Sequence, residues 1–345
     1  MPGEASDALP RRRHRHEPAP LERLARRGAR GLPPGYPRRL PRLPHGLDHR
    51  VRQQLPGREP RRNVRSGPGG RRVNSGPSRL TVATCQFAVS ADIRANGAVI
   101  RRQMRAAARR GAQLVHFSEA ALSGYAGSQF DGFDGYPWDL LANETRRIRA
   151  LAAELGVWTI LGSAHRQPRG KPFNCLYLIA PTGRIAKRYD KCFLMPRDRR
   201  HYAPGHRLVT HTINGIKCGL LICFDFRFPE IWRECLKRGC RLVFLSSYLA
   251  TPKRNRAMEG VAPAILATRA SENFLWVVAN NTTGEKPWCA SRVHRPDGSV
   301  AREAPAGRPA VLVHAIDLAD EATLYNPIGR LALRVARASR YSLGT

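Results

Sequence analysis

From Leu80 onward the apolar positions alternate between two periods, one of strands covered on both faces and one of amphipathic helices. Leu80 to Phe87 is a short, mostly apolar run and reads as a strand. Asp92 to Arg110 switches to helical spacing, with Ile93, Val99, Ile100, Met104 and Ala107 on one face and Gly111 as the stop. Gln113 to Phe117 is the next strand, running out on Ser118-Glu119. Asp139 to Leu155 is a second helix closed by Gly156, and Val157 to Ala164 a further strand. Strand, helix, strand, helix, strand predicts an α/β protein.

The pattern continues with Cys175 to Ala180 and Arg184 to Tyr189, two strands joined through Pro181-Thr182-Gly183, and Lys191 follows directly. Past a loop holding Asp198 and Tyr202-Ala203-Pro204-Gly205, the strands Arg207 to Ile213 and Lys217 to Ile222 flank Asn214-Gly215, a strong hairpin signal. The early rhythm then returns. Pro229-Glu230 opens a helix to Arg238, Arg241 to Leu245 is a strand, Pro263 to Asn273 a helix and Leu275 to Asn280 a strand. Strands near Cys289 to Arg295, Ser299 to Glu303 and Ala310 to Asp317 follow, with Pro296-Asp297-Gly298 as a turn. The two halves share a rhythm without a residue-level repeat. Residues 318–345 are expected to form a C-terminal tail, partly helical around Arg330 to Ala338, with a share in contacts between copies of the chain.

At 345 residues and 42% hydrophobic, the chain has apolar material for one large domain or two ordinary ones. No apolar run approaches the roughly 20 residues of a membrane span. No secretory leader is evident, so the expected address is the cytoplasm. The eight cysteines show no CxxC pair and no zinc-type spacing, and are expected to be reduced and mostly structural, with no metal and no cofactor. The triplets beginning at Asn143 and Asn281 match a glycosylation pattern and are read as chance.

The formal charge of +33 raises the question of nucleic acid. Seven of the 59 basic residues are lysine, the first being Lys171, and so uniform an arginine bias points to a coding preference rather than a shaped surface. Residues 1–79 carry 20 arginines against six acids, yet Tyr36 is the lone aromatic residue before Leu80, leaving no stacking platforms. Residues 1–78, rich in Arg, Pro and Gly, are expected to be disordered. The abrupt shift at Arg79 suggests a start assigned upstream of the natural one. The functional alternative for this stretch is a basic arm for RNA or acidic partners.

Cys223 stands at a strand-to-helix corner, Gly219-Leu220-Leu221-Ile222-Cys223 leading to Pro229. Two readings stand: a small buried hydrophobe, or a thiolate favoured by outward amides and the following helix N-terminus. Glu119 and Lys191 also lie just past strand ends, where open α/β sheets line their crevices. A thiol is only a few per cent ionised near neutrality and needs a base or a cation. Glu119 offers the first. Lys191, together with the backbone N–H of Phe224, offers donors for an oxyanion. The bland readings are a solvated loop acid and a surface lysine.

The stretches Phe117 to Tyr125, Tyr189-Asp190-Lys191, Ile222 to Glu230 and Ile265 to Asn273 running into Val277 to Asn280 together resemble the nitrilase (carbon–nitrogen hydrolase) superfamily, over roughly residues 79–317. The resemblance implies a four-layer α-β-β-α sandwich, a homodimer or larger homo-oligomer, and hydrolysis of non-peptide C–N bonds without cofactor. It implies Cys223 as nucleophile, Glu119 as base and Lys191 as oxyanion stabiliser. Asp198 stands where the family often has a second glutamate, one methylene shorter, and is either a support for Lys191 or an exposed acid. Phe224-Asp225 after the cysteine resembles amidases and carbamoyl-amide hydrolases rather than nitrilases proper. The implied substrate is therefore a small linear amide or N-carbamoyl compound. Tyr125, Tyr202 and Trp288 are candidates for the pocket wall, and Arg227 for a substrate carboxylate or, in preference, an internal structural role. The competing readings are acyl transfer by the same thioester and a non-catalytic scaffold with the basic arm.

Overall fold

The first strand, β1 (Arg79–Gln86), alternates the partners of its two buried faces, and this alternation sets the layering. Residues 79–319 are described in the computed structural model. After β1 come α1 (Ile93–Arg109), β2 (Leu114–Phe117), α2 (Trp138–Leu155), β3 (Trp158–His165), β4 (Phe173–Ile179) and β5 (Ile185–Asp190). The chain continues through β6 (Val209–Ile213), β7 (Ile216–Ile222), α3 (Pro229–Lys237), β8 (Leu242–Ser246), β9 (Ala250–Thr251) and α4 (Arg256–Asn273). It closes with β10 (Trp276–Asn280), β11 (Lys286–Pro287), β12 (Arg292–His294), β13 (Val300–Glu303) and β14 (Ala310–Asp317).

One sheet runs β14-β1-β2-β3-β4-β5 and the other β13-β12-β10-β8-β7-β6, while β9 and β11 form a small ribbon. Read from β14 and from β6, both sheets pair antiparallel, parallel, parallel, antiparallel, antiparallel. Helices α1 and α2 follow β1 and β2 as α3 and α4 follow β7 and β8. The shared rhythm of the two halves is thus a topological repeat.

Leu80 and Val82 of β1 join Leu114, Leu220, Leu242 and Phe244 in one core cluster, while Ala83 and Cys85 join Ile93, Ile100, Met104 and Leu151 in another. The first cluster fills the space between the sheets and continues beneath α3 and α4, and the second lies between the first sheet and α1 and α2. The layers are α-β-β-α, as expected. Each large side chain so buried contributes about 1.5–3 kcal/mol of transfer free energy.

Asn214 and Gly215 both take positive φ, 46° and 81°, as a two-residue type I′ hairpin requires. Two expectations shift. Helix α4 begins at Arg256 rather than Pro263, because the Asn255 side chain accepts from Met258 N at 3.1 Å and caps an earlier turn. Pro263 then sits inside the helix, losing one backbone bond without ending it. The strand expected from Cys289 starts at Arg292, since Asn281 Nδ2 holds the Cys289 carbonyl at 2.8 Å. Among the described residues no helix is long and apolar enough to cross a membrane. The expectations for residues 1–78 and for the helical C-terminal tail lie outside the described residues.

Candidate active site

Glu119 follows β2 and Cys223 follows β7, strands of different sheets whose carboxyl ends share one edge of the sandwich. Cys223 has φ 44°, in a region that non-glycine residues occupy at a cost of about 1–3 kcal/mol. Asp225 holds that conformation. Its buried carboxylate accepts from Ile222 N at 2.8 Å, Phe193 N at 3.0 Å and the Tyr189 hydroxyl at 2.7 Å. Phe224 N–H lies in the first turn of the 310 segment Cys223–Arg227, where helical geometry supplies no acceptor.

The Glu119 loop is seated by a glycine. A Cβ at Gly162 of β3 would lie 2.0 Å from Ser118 O, so only hydrogen lets the Ser118-Glu119 backbone cross that strand. Leu122 N donates to Gly162 O at 3.0 Å and closes the turn. Gly205 does the same for Lys191: its Cβ would meet Asp190 O at 2.1 Å, and Gly205 N donates to Lys191 O at 2.8 Å.

Lys191 bridges two carboxylates, donating to Glu119 Oε1 at 2.7 Å and to Asp198 Oδ2 at 2.8 Å. All three are buried, Lys191 and Glu119 completely. An ammonium has three protons, so one remains for a substrate oxygen. Asn174 Nδ2 also donates to Glu119 Oε1, at 2.7 Å, and Tyr248 N donates to Oε2 at 2.9 Å. Oε2 therefore carries the lighter load and is the oxygen available as a base.

Burial alone would lower Lys191, yet Glu119, Tyr125, Cys223 and Asp198 hold its ammonium well above the usual lysine range. Burial also opposes ionisation of Asp198, and Lys191 with the Tyr125 hydroxyl overcomes it and lowers that carboxyl. Burial, then the Glu119 charge, push the Cys223 thiol well above its ordinary value, against the pull of Lys191. Cys223 therefore rests as a neutral thiol beside Glu119, and to act as a nucleophile such a thiol needs a base that deprotonates it during attack.

Tyr125 donates its hydroxyl to Asp198 Oδ1 at 2.6 Å, and its ring stacks on Tyr248 and Tyr202 at 5.1 and 6.2 Å. Tyr202 in turn accepts from Ala126 N at 3.0 Å. Asp198 and Tyr125 are thus gathered around Lys191. Arg227 is not: it is exposed, places Nη2 3.1 Å from Met258 Sδ of α4 and lies over its neighbour Phe226. Trp288 donates to Thr251 Oγ1 at 3.1 Å, beside the β9–β11 ribbon. Asn174, Tyr248 and Arg197 join the site without having been singled out in the sequence. Asn174 lies just before the strand read from Cys175, and it is part of β4 because that strand begins at Phe173. The other two carried no signal in the sequence.

The family pattern described as "Carbon-nitrogen hydrolase" matches residues 81–325. The chain is 29% identical over 163 residues to the 2-oxoglutaramate amidase of Bacillus subtilis (strain 168), covering 45% of this chain and 61% of that one. It is 31% identical over 175 residues to an (R)-stereoselective amidase of Pseudomonas sp., covering 50% and 59%. The matched stretch thus spans about three-fifths of those relatives' length. An amidase of Nesterenkonia AN1 superposes with TM-score 0.61 at 22% identity, covering 75% of this chain and 97% of that one, a likeness of fold. In a related structure of that amidase, acrylamide is joined to the active-site cysteine by Michael addition. With a family pattern spanning most of its length and the same sandwich beneath it, the chain belongs to the carbon–nitrogen hydrolase family.

Proposed function

We propose that the chain hydrolyses the C–N bond of a small linear amide through a thioester on Cys223, with Glu119, Lys191 and Cys223 as the catalytic residues. The observation that carries the reading is the shared geometry of Glu119: one oxygen is tied to Lys191 and Asn174, and the other is held by a single backbone amide, that of Tyr248, while the Glu119 charge bears on Cys223.

The carboxylate takes the thiol proton as Sγ attacks the carbonyl carbon. The oxyanion meets the third proton of Lys191 Nζ and the Phe224 N–H, donors of a kind worth about 2.7–4 kcal/mol each when removed. Glu119 then returns the proton to the leaving nitrogen, the C–N bond breaks, and ammonia or an amine departs. Glu119 next deprotonates a water that attacks the thioester, and the acid leaves as the thiol is reprotonated. Asp198 orients Lys191 and adds no proton transfer. The relatives' names, amidases in both bacterial cases, favour amides over nitriles.

Mass spectrometry of the intact protein after exposure to a panel of linear amides and N-carbamoyl compounds tests this. An acyl adduct on Cys223 with release of ammonia or amine, both absent in Cys223→Ala, is the expected outcome. Turnover that survives Cys223→Ala overturns the reading.

A further inference from the structure

The ends of β2 and β8, strands of different sheets, are pinned to each other by one hydroxyl. Ser246 closes β8 and donates through Oγ to the carbonyl of Phe117, the last residue of β2, at 2.8 Å. Two residues further along each chain segment they meet again, where Tyr248 N donates to Glu119 Oε2 at 2.9 Å. Ser246 also stands opposite Ile222 of β7 in the parallel ladder, and Cys223 is the next residue. One side chain therefore connects the strand ends that deliver the carboxylate and the thiol. His116 fixes its direction. The imidazole Nε2 lies 2.8 Å from Ser246 Oγ, whose single proton is committed to a carbonyl, so Nε2 is the donor and Ser246 the acceptor. Nδ1 is then the bare nitrogen, buried without a hydrogen-bond partner, and a second proton there would find no acceptor. Burial lowers the imidazole to about 3, which keeps it neutral wherever a carboxylate base is ionised. Asn280, opposite Ser246 on the other side of the ladder, donates Nδ2 to His116 O at 2.6 Å and holds the same end of β2 one residue earlier. Ser246, His116, Phe117, Glu119 and Asn280 are all fully buried.

We propose that Ser246, oriented by His116, is a positioning residue for the reaction, its bond to Phe117 O setting where the Glu119 carboxylate stands relative to Cys223. This rests on the amide reading above and goes beyond it. Gly162 of β3 decides where the Ser118 backbone can run, and Ser246 of the facing sheet decides where that run begins. Without the hydroxyl, Asn280 still holds β2 at His116 O, but the last residue before the Ser118-Glu119 turn is free to slide against β8. Tyr248 N–H cannot replace the restraint, because it is bonded to the carboxylate that moves. The loss is one of geometry, since Ser246 and His116 exchange no proton with the reacting groups.

Steady-state kinetics on the best amide of the panel, with urea unfolding of the same proteins, test this. Ser246→Ala should lower kcat by about 10- to 100-fold and leave KM unchanged, because a catalytic group displaced by about 1 Å loses on the order of 10²-fold in rate. Ser246→Cys, of nearly the same size and with a weaker donor, should fall between Ser246→Ala and the wild type. Thr84→Val removes a buried hydroxyl of β1 that has no hydrogen-bond partner and should leave kcat unchanged. A merely structural role for Ser246 predicts a lower urea midpoint with kcat per folded molecule unchanged. His116→Leu leaves Ser246 its bond to Phe117 O but releases its direction, and kcat about 3- to 10-fold lower is expected from the loss of one neutral hydrogen bond. That variant keeps the test decisive should Ser246→Ala fold poorly. A wild-type kcat in folded Ser246→Ala, or in His116→Leu where Ser246→Ala does not fold, overturns the proposal and leaves amide hydrolysis standing. So does a loss carried by KM alone. Wild-type protein that turns over no amide in the panel would instead remove the underlying reading.

Discussion

Asp225 accepts the Tyr189 hydroxyl at 2.7 Å, and this bond ties the corner that carries Cys223 to the strand that delivers Lys191. The same carboxylate accepts from Ile222 N, just before the cysteine, and from Phe193 N, just after the lysine. Burial raises it to about 6. Its folded value lies above the unfolded value of about 3.9. Its contribution to stability is therefore present below about pH 4 and lost as the pH rises through about 6. Activity runs the other way: a protonated carboxyl cannot accept from all three donors, and the corner relaxes. A step in kcat near pH 6, falling toward acid, is expected in the wild type. Asp225→Asn should lower kcat at neutral pH and lack that step, and pH–rate profiles of the two proteins check it.

A neutral resting thiol has a chemical signature. Because burial and the Glu119 charge raise Cys223, its conversion to the methyl disulfide by methyl methanethiosulfonate, with methanesulfinate leaving, should be slow at neutral pH. The rate should keep rising beyond pH 9, where an ordinary thiol levels off. Peptide mapping resolves Cys223 from the seven other cysteines. A plateau already reached at pH 6 would mean a preformed thiolate.

Lys191 is shared by two buried acids, and removing it leaves Glu119 without its ammonium and Asp198 with only Arg197 Nε, 3.9 Å away, as a cation. Lys191→Met should cost about 3–5 kcal/mol in urea unfolding, as breaking a buried pair does, and abolish turnover. Adding Asp198→Asn removes one of the stranded charges and should recover part of the stability but none of the activity. The coupling between the two substitutions is read from a double-mutant cycle.

Gly162 carries no reacting group, yet its substitution should be severe. Alanine there places Cβ 2.0 Å from a backbone oxygen that cannot swing away, so the Ser118-Glu119 turn must move. A shift of about 1 Å in a catalytic group costs on the order of 10²-fold in rate. Gly162→Ala should accordingly lose kcat by about that factor, with a smaller effect on KM, while Gly260→Ala in α4, with open space around its Cβ and no left-handed backbone, serves as the surface control.

The strands, helices and hairpins were legible because they rest on local period and turn chemistry, as at Asn214-Gly215 and at the stop on Gly156. The motif residues Glu119, Lys191 and Cys223 were legible as three strand ends, and their family likeness supplied roles for them. The start of α4 was not, since a proline at 263 outweighed a capping asparagine at 255 when read by spacing alone. Arg197 was hidden by the arginine bias of the chain, and Tyr248 by looking like any aromatic after a strand.

By itself the sequence determined which residues stand at the ends of strands, because alternation and capping act over a few neighbours. Only the tertiary structure decided which of those ends meet. Glu119 and Lys191 are 72 positions apart, and Glu119 and Tyr248 are 129 apart. They are joined because two repeats of one sheet pattern stack face to face, and that stacking is a property of buried area summed over both halves, which no local window contains.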